Sequence, residues 1–224
     1  MLSYTLKDYY HIYMSSMKKT ILKAIPLFIL MWTMWSAYRA FVLPHFPQGI
    51  IFEILDSVVL KALVWVIPFI IFTKLLRPQT LFGAPFPWLP CLILLCVSTA
   101  FLFTIRLLNG LQNTYIVFEW MFIVFSLSAG VLEELSFRGG FFAMTEDRLG
   151  FWGAALLNGA MFTLYHYPEL LLGQWQGLIS WRCLLIFVMG FVFCWMYRKW
   201  RNLALNMVVH TFWDVLSFLF CLAG

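Results

Sequence analysis

Charge is what this chain has least of. Asp, Glu, Lys and Arg make up 11% of its 224 residues while 63% are hydrophobic, against about 25% and about 45–50% in soluble domains. No soluble fold has interior enough for that apolar surface, so the composition excludes a soluble domain and points to an integral membrane protein. Acidic residues are the scarcer sign, 10 against 15 basic, for a net charge of +5. The basic residues sit in short segments between apolar runs, where they orient helices in a bilayer, so the positive balance does not imply nucleic acid. Cysteine supplies no framework either. Cys91, Cys96, Cys183, Cys194 and Cys221 are odd in number, lack metal-ligand spacing and read as small apolar packing residues. There is no internal repeat and no H-E-x-x-H segment. Each helical crossing takes about 20 residues plus a connection, which leaves no length for a separate soluble domain and predicts a single integral membrane domain over 1–224.

Long apolar runs are what the chain does have. Windows of spanning length fall near 22–43, 56–76, 88–106, 115–145, 151–167, 182–198 and 203–222, separated by Pro, Gly and polar clusters such as Glu146 to Gly150. The fold class predicted is all-α, a polytopic transmembrane helical bundle of about seven helices, within a range of six to eight. Lys18, Lys19 and Lys23 precede the first run, but Tyr38-Arg39-Ala40-Phe41 does not resemble a cleavage site, so this run reads as a retained helix. Residues 1–21, rich in tyrosine, read as an interfacial segment. With a cytoplasmic amino terminus, Lys7, Lys18, Lys19, Lys23, Lys74, Arg77, Arg148, Arg198, Lys199 and Arg201 fall on the cytoplasmic side. Only Arg39, Arg106 and Arg182 fall opposite, and the positive-inside rule selects that orientation.

Against this background three polar clusters stand out: Glu133-Glu134-Leu135-Ser136-Phe137-Arg138, Phe162-Thr163-Leu164-Tyr165-His166 and His210-Thr211-Phe212-Trp213-Asp214. Ionisable groups within membrane helices are costly and mark functional sites by default. The helices carrying them have ends near 146, 151 and 203 at the cytoplasmic boundary. At about 1.5 Å per residue, Glu133, His166, His210 and Asp214 lie roughly 20, 22, 10 and 16 Å from it. In a hydrocarbon layer of about 30 Å these depths place a site near the midplane. Glu134 and Arg138 are i, i+4 neighbours able to form an ion pair, and Glu133 projects about 100° away as the candidate general base. Taken alone, the three residues also fit a buried ionic latch, and each histidine a hydrogen-bonding role between helices. Together they supply a base, a group to orient water and a donor for an oxyanion, which is what amide hydrolysis requires. Lys61 reads as snorkelling to the interface, Arg106 and Glu119 as boundary residues, and Asn158 as a bond across a helix interface.

The order E-E-x-x-x-R, F-x-x-x-H, H-x-x-x-N/D resembles the CPBP family, the CAAX proteases and bacteriocin-processing or abortive-infection enzymes. The resemblance covers residues 115–222. It implies an intramembrane, metal-independent glutamate-type endopeptidase without a cofactor. By matching positions, Glu133 would activate water, His166 would help hold it, and His210 with Asp214 would stabilise the oxyanion; Glu134, Arg138 and Phe162 would support the site. Asp214 departs from the asparagine of the eukaryotic CAAX proteases, although bacterial members also carry aspartate there. An ionised aspartate cannot donate to an oxyanion, so Asp214 must be protonated, must orient His210 or must act otherwise. The partners implied are the lipid bilayer and a membrane-associated peptide or protein substrate, lipidated or carrying a hydrophobic tail. The location implied is a bacterial or archaeal cell membrane. Two other classes compete with this reading: a noncatalytic membrane immunity or regulatory protein, and a zinc protease using Glu133, His166 and His210.

Overall fold

The structure is a computed structural model and describes residues 23–47, 49–72, 81–108, 120–168 and 181–220. The interfacial segment 1–21, Glu119 and Cys221 lie outside these residues, as do Lys7, Lys18, Lys19, Lys74 and Arg77. The described residues are helical apart from short connections and one isolated antiparallel bridge, Phe82 to Asn202. In chain order the helices are α1 Lys23–His45, α2 Ile50–Ile71, α3 Trp88–Leu108, α4 Trp120–Glu134, α5 Ala143–Tyr165, α6 Trp181–Trp200 and α7 Leu203–Leu219. Four of these are long and apolar enough to cross a membrane: α1, α2, α3 and, from Arg182, α6. Their apolar side chains are largely turned outward, with Trp88, Leu89, Ile51 and Leu108 more than two-thirds exposed. In water that surface would drive aggregation, whereas in lipid it is solvated. The chain is an integral membrane protein with an all-α fold.

Contacts divide the chain into two compact units, one of Met1–Phe46 and Gly140–Trp195, the other of Pro47–Gly139 and Met196–Gly224. In the first, α1 buries Ala24, Phe28, Met31 and Trp35. This is the 3.6-residue stripe of a helix with one packed face. Trp35 stacks on Tyr165 at 6.2 Å between ring centroids, and Trp32 Nε1 donates to the Leu164 carbonyl at 2.6 Å. Helix α5 is broken at Gly150, whose φ of 65° and ψ of 174° lie in a region open essentially to glycine alone. The break falls within the Glu146 to Gly150 separator. Further along, α5 meets residues 181–195 of α6 through small residues: a Cβ on Gly190 would sit 3.0 Å from Gly159 Cα. Asn158 accepts from Cys194 Sγ at 3.2 Å beside this crossing. Cys91, Cys96, Cys183 and Cys194 are free thiols.

The second unit holds α2, α3, α4 and α7, and its side-chain contacts fix their directions. Ser128 Oγ donates to the Ser57 carbonyl, Lys61 Nζ to Glu133 Oε1 at 3.0 Å, and Ser136 Oγ to the Trp65 carbonyl at 2.9 Å. Partner numbers rise together over two turns, so α2 and α4 run parallel. Phe122 stacks on Phe218 at 4.9 Å and Glu134 meets Asn206 and His210, so α4 and α7 run antiparallel. Phe101 stacks on Trp213 and Arg106 Nη1 donates to the Phe220 carbonyl, so α3 and α7 are parallel. These directions are those of helices that cross alternately. Close approach of α4 and α7 requires Gly130, where a Cβ would lie 2.8 Å from Thr211 N and 2.9 Å from Met207 O. Beyond Glu134 the helix continues in wide π-type turns over Leu135–Phe142; α2 widens likewise at Leu55–Leu60 and Ala62–Val66, on either side of Lys61.

Candidate active site

Glu133 and Glu134 are both buried at the end of α4, yet their surroundings differ. Glu134 Oε1 accepts from Arg138 Nη1 at 3.0 Å and from His210 Nδ1 at 2.9 Å, while its Oε2 accepts from Asn206 Nδ2 at 3.1 Å. Glu134 and Arg138 are fully enclosed. Three donors on one carboxylate offset the loss of water that burial imposes, and they hold the group rigidly. Because the carboxylate of this ion pair accepts, His210 Nδ1 carries the hydrogen and the ring turns Nε2 to the opposite side. A carboxylate that orients an imidazole through Nδ1 is a recurring catalytic device.

Glu133 lies on that opposite side. Its Oε1 receives Lys61 Nζ, and its Oε2 lies 3.8 Å from His210 Nε2. Asp214 Oδ2 is 3.6 Å from the same nitrogen, with about a quarter of its side chain exposed. Both separations exceed a direct hydrogen bond and suit groups that share a small polar molecule such as water. Among the described residues, three carboxylates, Glu133, Glu134 and Asp214, and two basic side chains, Lys61 and Arg138, thus gather around His210.

The structure therefore brings together Glu133, Glu134, Arg138, His210 and Asp214 within the second unit. Phe162 and His166 belong to the first. His166 caps α5 with Nδ1 2.8 Å from the Phe162 carbonyl, and its ring meets Phe162 and Tyr165 edge-on at 4.9 and 4.8 Å. A carbonyl only accepts, so Nδ1 again holds the hydrogen.

Two participants escaped the sequence reading. Lys61 does not snorkel: its ammonium ends on Glu133, with 14% of the side chain exposed. Asn206 was not singled out, although a signal exists, since Asn202, Asn206, His210 and Asp214 recur every four residues along one face of α7. The first of them, Asn202, caps α7 by accepting from Ala204 N at 3.0 Å and donates to the Ala84 carbonyl at 2.7 Å.

Residues 115–216 match the family model described as Type II CAAX prenyl endopeptidase Rce1-like. This segment of the chain is similar to that family. The Rce1-like segment contains the two glutamates, Arg138, Phe162, His166, His210 and Asp214, and it lies within the CPBP family that the motif order resembles. Lys61 lies outside it. No curated protein and no solved structure matches the chain. Among the described residues no group of three or more His, Cys, Asp or Glu side chains is arranged to hold a metal ion.

Proposed function

We propose that the protein is an intramembrane glutamate-type endopeptidase that hydrolyses a membrane-associated peptide or protein by direct attack of water. The observation that carries this reading is the asymmetry of the glutamate pair: Glu134 is saturated by three donors, while Glu133 turns Oε2 toward the imidazole that Glu134 orients. Glu133 Oε2 takes a proton from water as the water oxygen attacks the carbonyl carbon. The oxyanion that forms accepts from His210 Nε2–H, and the proton on Glu133 passes to the leaving amine as the C–N bond breaks. The part given to His166, helping to hold the attacking water, rests on its matching position in the family motif alone. Asp214 faces His210 Nε2, where as the protonated acid it donates to the oxyanion beside the imidazole.

The substrate is a chain within or beside the bilayer, lipidated or carrying a hydrophobic tail, and the enzyme resides in a bacterial or archaeal cell membrane with its amino terminus in the cytoplasm. The distribution of Lys and Arg supports that orientation. The mechanism needs neither metal nor cofactor.

Wild type and Glu133→Gln protein, purified in detergent, are compared on a quenched library of apolar and lipidated peptides with a strong chelator present. Cleavage by wild type, lost by at least about 100-fold in Glu133→Gln, is the expected outcome for removal of a general base. Activity abolished by chelator and restored by zinc would replace this mechanism with a metal-dependent one. Silence of wild type, together with a biological effect that survives Glu133→Gln, would favour a noncatalytic binding protein.

A further inference from the structure

Lys61 is the one ionisable side chain of the cluster that comes from outside the Rce1-like segment. It stands in mid-helix, within residues 58–72, which are otherwise apolar, and its neighbours one turn away on the same face, Ser57 and Trp65, are bonded to α4 through their carbonyls. Trp65 is almost fully buried and stacks on Phe137 at 5.7 Å. The ammonium is thus delivered to Glu133 by a helix held in fixed register on both sides of the contact. Glu133 is faced by Lys61 from α2 and by His210 from α7; His210 in turn meets Asp214 of its own helix and Glu134, which is paired with Arg138.

We propose that Lys61 is a positioning residue for the reaction: by holding Glu133 Oε1 it fixes the carboxylate so that Oε2 alone meets the water beside His210 Nε2. This rests on Glu133 being the base. A carboxylate otherwise rotates about its last bond and can present either oxygen, and a base displaced by about 1 Å loses on the order of 100-fold in rate. A buried ion pair is a poor device for stability, since apolar residues of similar volume commonly do as well or better. Its effect therefore falls on the geometry and charge of Glu133. In the same enclosed site, a lysine without its carboxylate or a carboxylate without its lysine leaves a charge unmatched, which couples the two residues energetically.

The test combines kinetics with a thermal cycle on the full-length protein in detergent. Lys61→Met is expected to lower kcat by roughly 10- to 100-fold with KM changed less than about threefold, and Lys61→Arg to recover most of that loss. A Lys61→Met enzyme with kcat within about twofold of wild type, or an Arg variant as impaired as the Met variant, overturns the proposal. Melting temperatures of Lys61→Met, Glu133→Gln and the double variant read the contact without any substrate. The double variant should melt well above the additive expectation, and strict additivity would also overturn the proposal. Failure of the endopeptidase reading shows itself separately, as inactivity of the wild type toward every peptide.

Discussion

At the scale of single residues the two glutamates differ in what holds them, and the difference is measurable. Arg138 is fully enclosed against Glu134, so Arg138→Met strands a buried carboxylate and should destabilise the protein by about 3–5 kcal/mol, seen as a large fall in melting temperature. Glu133→Gln should abolish cleavage with a smaller fall in melting temperature than Arg138→Met, because it strands the Lys61 ammonium, which keeps 14% of its side chain exposed. Asp214→Asn supplies a permanent donor beside His210 Nε2 and should retain cleavage within about tenfold, whereas Asp214→Leu, which supplies none, should lose at least about 100-fold, the scale of one oxyanion donor. The charges of the Rce1-like segment were legible in the sequence because ionised groups stand out in apolar helices and their i, i+4 spacing is readable. Lys61 was not, for a physical reason: its four-carbon stem reaches the interface as easily as a neighbouring helix, and only the facing Glu133 decides between them.

At the scale of helices, two glycines have opposite consequences. Gly130 lets α4 and α7 approach until a Cβ would collide with the backbone of Met207 and Thr211. Gly130→Ala should therefore push α7 outward, costing about 1–3 kcal/mol and lowering kcat, because His210 and Asp214 move with that helix. At Gly150 a Cβ meets nothing within 4 Å, and only the backbone conformation resists it. Gly150→Ala should cost about 1–3 kcal/mol with cleavage of a library peptide per folded molecule unchanged. The comparison of kcat with melting temperature separates the two cases. The helices themselves followed from the apolar windows, and the break at Gly150 from its polar separator. The π-type widening around Lys61 and after Glu134 had no sequence signal, since it depends on how neighbouring helices load each turn rather than on local propensity.

For the whole molecule the sequence supplied an alternating order of crossings, and in the second unit the contacts agree with it: α2 and α4 run one way, α3 and α7 the other. A cysteine placed at Gly83, before α3, and another at Leu108, at its end, should therefore label from opposite faces of the membrane in a cysteine-free background. With the amino terminus cytoplasmic, an impermeant thiol reagent applied to intact cells should reach only Leu108→Cys; labelling of Gly83→Cys alone would invert the orientation. How these helices meet was beyond the sequence, because polar links such as Asn206 to Glu134 span 72 residues and leave no local trace. That span also orders the making of the protein. Lys61 is synthesised before Glu133, and Arg138 follows Glu134 by four residues, but His210 comes 76 residues later, a delay of roughly 4–15 s at 5–20 residues per second. Glu133 and Glu134 thus have their cations at hand when their helix leaves the ribosome, while His210 and, one turn further on, Asp214 are the last of the cluster to arrive.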